Sequence, residues 1–166
     1  MSRFKSSQVH QTLGLHVGVL PSTSNYTNIR EFEGLAMPII VHEGTRELNE
    51  LLRSGAKDRV VIVDGSHFGR TAVVGRQEVV SAVAGGCKAL VVLGLVTHLA
   101  AIEMARIPVL AFAATPRVPS AETGLAKPGL IDIDGGHVSA MHYIVGDADG
   151  VVAVEKERYQ QRFSIK

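Results

Sequence analysis

Tryptophan is absent from this chain, and aromatic residues make up only 5% of it. Its core must therefore be built almost wholly from aliphatic side chains. Cysteine occurs once, as Cys87. A single thiol excludes an internal disulfide framework and suits a reducing, cytoplasmic compartment. No apolar run approaches the roughly 18–20 residues that a bilayer-crossing helix needs, so no membrane partner is expected. The net charge is +1, without the basic excess that nucleic-acid binding draws on, and no nucleic-acid partner is expected either. Sequence motifs for familiar cofactors are also missing. There is no Gly-x-Gly-x-x-Gly behind a strand, no Walker loop, no His-Glu-x-x-His and no Cys/His cluster, so neither a nucleotide loop nor a zinc site is legible.

What is present suits one domain over residues 1–166, with 46% hydrophobic residues. Residues 1–33 differ in character from the rest. Arg3 and Lys5 are the only basic charges in the first 28 residues, and no acid occurs before Glu31. That composition faintly resembles a transit peptide. Alternatively, Leu13 to Leu20 reads as a strand that ends at Pro21.

From residue 36 the pattern is regular. Met37 to Val41 reads as a short strand, and Leu48, Leu51 and Leu52 recur at helical spacing before a stop at Gly55. Val60 to Val63, Ala89 to Leu93 and Val109 to Ala113 are unbroken apolar runs rich in β-branched residues, as in strands buried on both faces. Between them, Val79, Val80, Val83 and Ala84 mark a helix ending at Gly85-Gly86. Leu99 to Arg106 marks a shorter helix that stops before Pro108. This alternation predicts an α/β protein with a central parallel sheet. After Ala114 comes an irregular loop. Short strands are then expected at Leu130–Ile133, Val138–Ala140, Tyr143–Val145 and Val151–Val154, mostly antiparallel, before a charged helix over 155–163. Asp134-Gly135-Gly136-His137 suits a hairpin turn.

Two strand ends carry chemistry. Gly75-Arg76-Gln77-Glu78 opens a helix, where unpaired backbone N–H groups attract anions and a Gly lets a carboxylate approach. The same residues also suit an ordinary tight turn. Thr97-His98 ends the next strand, where His98 can serve as a base, a metal ligand or a plain helix cap. Asp64-Gly65-Ser66-His67 follows a buried strand, the place where α/β ligands usually sit, although Asp64 also suits a turn. Asp147 and Asp149 flank a small residue before Gly150 and read first as a hairpin turn, with metal binding second.

Asp64-Gly65, Gly75, Gly94-Leu95-Val96, Thr115-Pro116-Arg117 and the run from Gly146 to Val154 occur in an order that resembles one family. It contains 4-hydroxy-4-methyl-2-oxoglutarate aldolase and the regulator of ribonuclease E activity, the RraA-like proteins, and the similarity runs from about Gly34 to Val154. The resemblance implies a ββα layered fold akin to phosphohistidine swivelling domains, with a C-terminal antiparallel strand region. It also implies assembly as a homotrimer or hexamer, with sites at the subunit interfaces. In the aldolases an Arg-Asp pair after the Gly-x-Val strand end holds the oxo-acid carboxylate and a divalent metal, which stabilises an enolate.

This chain carries Thr97-His98 in place of that Arg-Asp pair. It has Arg76 where the loop residue is usually acidic or amide, and Thr45-Arg46 where an Asp-Asn pair is expected. Two functions follow from these residues. The first is a repurposed enzyme with lyase-type chemistry on a small carboxylate or oxo-acid. Its catalytic residues would be His98, Arg76 and Glu78, and its ligand would touch Gly75, Arg76, Gln77, Thr97, Asp64 and His67. If a divalent metal is the cofactor, His98 is its expected ligand. The second is a non-catalytic regulatory or binding trimer that acts through protein contacts.

Overall fold

A computed structural model describes residues 3–163. In chain order the elements are α1 (Ser6–Leu13), β1 (Val17–Val19), β2 (Ser24–Asn25), β3 (Phe32–Gly44), α2 (Arg46–Gly55), β4 (Arg59–Asp64), β5 (Ala72–Val74), α3 (Arg76–Ala84), β6 (Ala89–Val96), α4 (Leu99–Glu103) and β7 (Val109–Ala114). They continue with β8 (Gly124–Pro128), β9 (Ile131–Ile133), β10 (Gly136–Val138), β11 (His142–Gly146), β12 (Val151–Glu155) and α5 (Lys156–Phe163). Ten strands form one mixed sheet in the order β1-β12-β11-β3-β4-β6-β7-β2, with β5 added to β6 and β8 to β3.

The three apolar runs lie in β4, β6 and β7, and these pair in parallel with one another and with β3. β11, β12 and β1 extend the sheet antiparallel beyond β3. The protein is thus α/β, with a parallel centre and an antiparallel flank.

Buried strands sort their side chains by period 2. Val61, Val63, Leu90 and Val92 face a core shared with Leu48 and Leu52 of α2 and Val79 of α3. Val60, Ile62, Val91 and Leu93 face the opposite core, with Phe32, Ile131, Val138 and Ile144. Val60–Val63 of β4 and the first part of β6 are apolar at every position because both faces are covered, whereas β7 is buried only over Val109, Leu110 and Ala111 and exposes Phe112. A third cluster joins Val9 of α1, Val17, Val145, Val152 and Tyr159.

Several expectations need correction. The segment from Leu13 to Leu20 is not one strand. It ends a helix, passes a 3-10 turn at Gly14–His16, and only Val17–Val19 pairs, against β12. The helix forms because Val9 is fully buried beneath it and because Asp147 holds its first turn. The Asp147 carboxylate accepts the Ser6 amide at 2.6 Å and the Ser6 hydroxyl at 2.7 Å. The turn reading of residues 147–150 matches the structure, with the Asp147 amide donating to the Gly150 carbonyl at 3.0 Å. Met37 to Val41 is only the middle of β3, a strand of 13 residues. Pro38 is tolerated there because it lies between the residues paired with β11 and those paired with β8. Ser139 and Ala140 fall outside β10. β5 and β8 were not expected. β5 is too short to show a period, and β8 contains Gly, Lys and Pro, which strands disfavour. The predicted hairpin turn narrows to Asp134-Gly135, since Ile133 already pairs Gly136.

Candidate functional site

β5 ends at Val74, and α3 begins two residues later. Gly75 joins them in extended backbone and must be glycine for space. A Cβ there would stand 2.9 Å from Thr97 Cγ2 and 3.0 Å from His98 Nδ1. The Gly75 amide donates to Glu78 Oε2 at 2.8 Å, so Glu78 closes the helix start on itself. Its other oxygen accepts the Asn49 amide of α2 at 2.9 Å. Asn49 also donates to the Thr45 carbonyl at 2.9 Å and accepts the Ser81 hydroxyl at 2.6 Å. Thr45, Asn49, Glu78 and Ser81 are all buried. Buried polar groups persist when paired in this way, and the network clamps α3 to α2.

On the facing side, β6 ends at Val96 and the Thr97 amide donates to the Val74 carbonyl at 3.0 Å. Thr97 is buried. His98 follows in the left-handed region, φ 59 and ψ 50. That conformation is uncommon for a residue with a Cβ, and here it turns the imidazole back against Gly75. The His98 carbonyl accepts the Ala101 and Ile102 amides, but its side chain makes no capping bond to α4. Arg76 and Gln77 are exposed. Among the described residues the Arg76 guanidinium has no ion-pair or hydrogen-bond partner.

The segment after β7 roofs this region. Its Ser120 carbonyl accepts the Thr45 amide at 2.8 Å, its Thr123 carbonyl accepts the Arg46 amide, and its Arg117 carbonyl accepts the Ala72 amide. Beneath it lies a cleft of about 490 Å³, lined by Gly75, Arg76, Gln77, Glu78, Val80 and His98 on one side and Val118, Pro119 and Ala121 on the other. A second, more open depression of about 550 Å³ shares Arg76, Val80 and His98 with this cleft and is further lined by Val79, Ala100, Ala101 and Met104.

The structure brings together Gly75, Arg76, Gln77, Glu78 and His98, with Thr97 packed under Gly75. Asp64 and His67 are not among the residues that line the cleft. β5 pairs β6 from Leu95 onward, beyond Leu93 where β4 stops. That extra strand separates the loop after β4 from the helix start. Asp64 instead accepts the Ser66 amide at 2.9 Å as a turn residue, and the His67 ring packs on His42 with centroids 4.7 Å apart. Glu78 reaches the cleft wall with each oxygen hydrogen-bonded, one to the Gly75 amide and the other to Asn49, so it braces the helix start. A divalent metal fits this chain's donors poorly. Among the described residues no three His, Cys, Asp or Glu side chains converge to hold one, and His98 stands without a second free donor of that kind. Sequence reasoning missed Asn49 and the roof residues. Asn49 had a faint signal, a polar residue beside Leu48 and Leu52 on the buried face of a helix. The roof had none, because it belongs to an irregular loop.

Known proteins share this arrangement of chain. The family described as RraA-like, Aldolase/RraA, matches residues 6–153. A protein of Laribacter hongkongensis named "Putative 4-hydroxy-4-methyl-2-oxoglutarate aldolase" is 28% identical over 133 residues, which are 80% of this chain and 83% of its own. A protein of Burkholderia mallei with the same name is 29% identical over 127 residues, 76% of this chain and 77% of its own. Among solved structures, one named as S-adenosylmethionine:2-dimethylmenaquinone methyltransferase from Geobacillus kaustophilus superposes with a TM-score of 0.82 at 24% identity, over 92% of this chain and 96% of that one. The RNA-processing inhibitor RraA from Thermus thermophilis follows at 0.80 and 24% identity, over 92% and 93%. At that identity the two structures speak for the fold alone. With the family match covering nearly the whole described chain, the protein belongs to the RraA-like family.

Proposed function

We propose that the protein binds a small carboxylate or oxo-acid in the cleft between the start of α3 and the end of β6 and performs lyase-type chemistry on it. The observation that carries this reading is the convergence of an unpaired guanidinium, Arg76, and an uncapped imidazole, His98, at one helix start inside one cleft. Arg76 presents a planar fork of donors that matches a carboxylate and an adjacent oxo oxygen. The first amides of α3 and the Gln77 side chain add further donors. For a 4-hydroxy-2-oxo acid, His98 takes the hydroxyl proton. The carbon–carbon bond then breaks with its electrons moving to the oxo group, whose growing charge Arg76 faces. The proton returns to carbon to give the second product. No step is assigned to a metal, because this chain's donor set does not suit one. We also propose a single domain that assembles as a homotrimer or hexamer in the cytoplasm. That Cys87 is the single cysteine suits a reducing compartment; burial pushes its thiol pKa up to about 11, the protonated and unreactive form.

A second reading is a binding or regulatory trimer without turnover. Val80, Val83 and Met104 favour it, since these apolar side chains stand exposed on α3 and after α4 beside the cleft, and clustered apolar exposure marks contact surfaces. One experiment separates the two. Wild-type protein, Arg76→Ala and His98→Ala are assayed for pyruvate binding by calorimetry and for cleavage of 4-hydroxy-4-methyl-2-oxoglutarate and other 4-hydroxy-2-oxo acids, with and without magnesium. Magnesium-dependent cleavage of the first substrate is expected to be weak or absent. Arg76→Ala is expected to weaken binding by about 1.5–3 kcal/mol, the usual worth of a hydrogen bond to a charged group. His98→Ala should spare binding and abolish turnover. Folded variants that both keep full binding and turnover would overturn the reading. Binding without turnover on any oxo-acid would favour the second.

A further inference from the structure

We propose that a second cavity, separate from the cleft at α3, binds a small zwitterion of amino-acid or dipeptide size. It encloses about 440 Å³ between the loop joining β1 to β2 and the turn joining β11 to β12, and Pro21, Ser22, Thr23, Arg30, Leu110 and Asp149 line it. Its walls are fixed by hydrogen bonds within the protein. The Leu20 amide donates to the Val151 carbonyl at 2.9 Å and the Tyr26 amide to the Val109 carbonyl at 2.9 Å, which holds the loop at both ends. The Asn25 side chain accepts the Thr27 amide and hydroxyl, each at 2.9 Å, and donates to the Ile29 carbonyl at 2.8 Å. It thereby shapes the segment that leads into Arg30. In the facing turn, the Asp147 carboxylate is occupied by Ser6 and by the Asp149 amide.

These braces leave two opposite charges over. Arg30 and Asp149 line one cavity, yet among the described residues neither side chain has an ion-pair or hydrogen-bond partner, and they do not pair with each other. The nearby cation Lys5 is taken by Glu31. Both Arg30 and Asp149 are exposed, so each stays hydrated at little cost while no ligand is bound. An ion of one sign gains from one of them and is repelled by the other. A ligand that carries both an ammonium and a carboxylate is attracted by both and brings no net charge. The Ser22 and Thr23 hydroxyls, also without partners among the described residues, add donors and acceptors. Leu110 and Pro21 offer aliphatic surface to a side chain. The volume lies at the lower end of the roughly 300–1,000 Å³ usual for small-ligand sites, which keeps the ligand small.

The test is calorimetry on the full chain with L-leucine and glycyl-L-leucine. Each is also offered N-acetylated, which removes the cation, and as its C-terminal amide, which removes the anion. Wild type is compared with Arg30→Gln, Asp149→Asn and Arg76→Ala, and unchanged melting temperatures check that the variants fold. At least one uncapped zwitterion is expected to bind, and capping either end should weaken it about tenfold, the usual worth of a hydrogen bond to a charged group. Arg30→Gln should erase the penalty of the amide, and Asp149→Asn that of the acetyl group, as paired groups do in a double-mutant cycle. Arg76→Ala should change neither, because Arg76 does not line this cavity. Caps without effect, or penalties that survive both substitutions, overturn the proposal. So does the failure of every ligand to bind at millimolar concentration. Binding lost in Arg76→Ala but kept in Arg30→Gln and Asp149→Asn overturns it too, since the ligand then sits in the cleft at α3.

Discussion

Gly75 is where backbone space and side-chain chemistry meet. Its missing Cβ lets Thr97 and the His98 ring lie directly against the start of α3. Gly75→Ala would force contacts of 2.9 and 3.0 Å, tighter than side chains tolerate. The fold should survive with a loss of about 1–3 kcal/mol, the usual cost of overpacking. The larger effect should be on turnover, because the imidazole must swing away from its place beside Arg76. Denaturant melts and a cleavage assay on the same variant check both halves. A variant that turns over as wild type does would show that the His98 position does not matter. Glu78 teaches the complementary lesson. A carboxylate in a cleft wall invites a catalytic reading, yet its bonds to Gly75 and Asn49 give it work as a brace.

Among the elements, α1 depends on a residue far along the chain. Burial pushes the Asp147 carboxyl upward, but the Ser6 amide and hydroxyl, with the Asp149 and Gly150 amides, outweigh it and hold the group below its ordinary 3.8. A carboxyl depressed in the folded state adds stability that is complete above its unfolded value and is lost as pH falls through the folded one. Stability should therefore be flat near neutrality and decline as the pH is lowered through 3.8 and beyond. Asp147→Ala should cost about 0.5–2 kcal/mol at neutral pH, as other lost helix caps do. It should also flatten the acid limb. Melts of both proteins at pH 7 and pH 3 check this, and an unchanged acid limb would mean that α1 is held by Val9 packing instead. The Lys5–Glu31 ion pair at the same helix start is exposed and contributes little at ordinary ionic strength.

For the whole molecule, the proposed assembly is tested most simply. Light scattering at micromolar concentration should give the mass of three or six chains, and Val80→Asp with Met104→Asp should lower it, because apolar surface drives stable subunit contact. A monomer in the wild type would sink the assembly. At this scale the division between sequence and structure is clear. β4 and β6 were readable because strands covered on both faces must be apolar, a local property of the chain, and β7 was readable from its buried start at Val109 to Ala111. The starts and stops at Gly55, Gly75 and Gly85 were readable because helix ends have their own residue chemistry. The pairing of β5 beyond β4, the making of β8 from Gly124 to Pro128, and the docking of Ser6 on Asp147 were not. Each depends on an edge or a charge presented by a distant part of the chain, and no local pattern encodes it. The same holds for the site. Arg76 and His98 could be named from a helix start and a strand end, but only the tertiary structure put them in one cleft without Asp64 and His67 in its lining, joined Glu78 to Asn49, and set Val118, Pro119 and Ala121 opposite. Sequence period fixes which way a side chain faces, whereas what it faces is decided by packing across the chain.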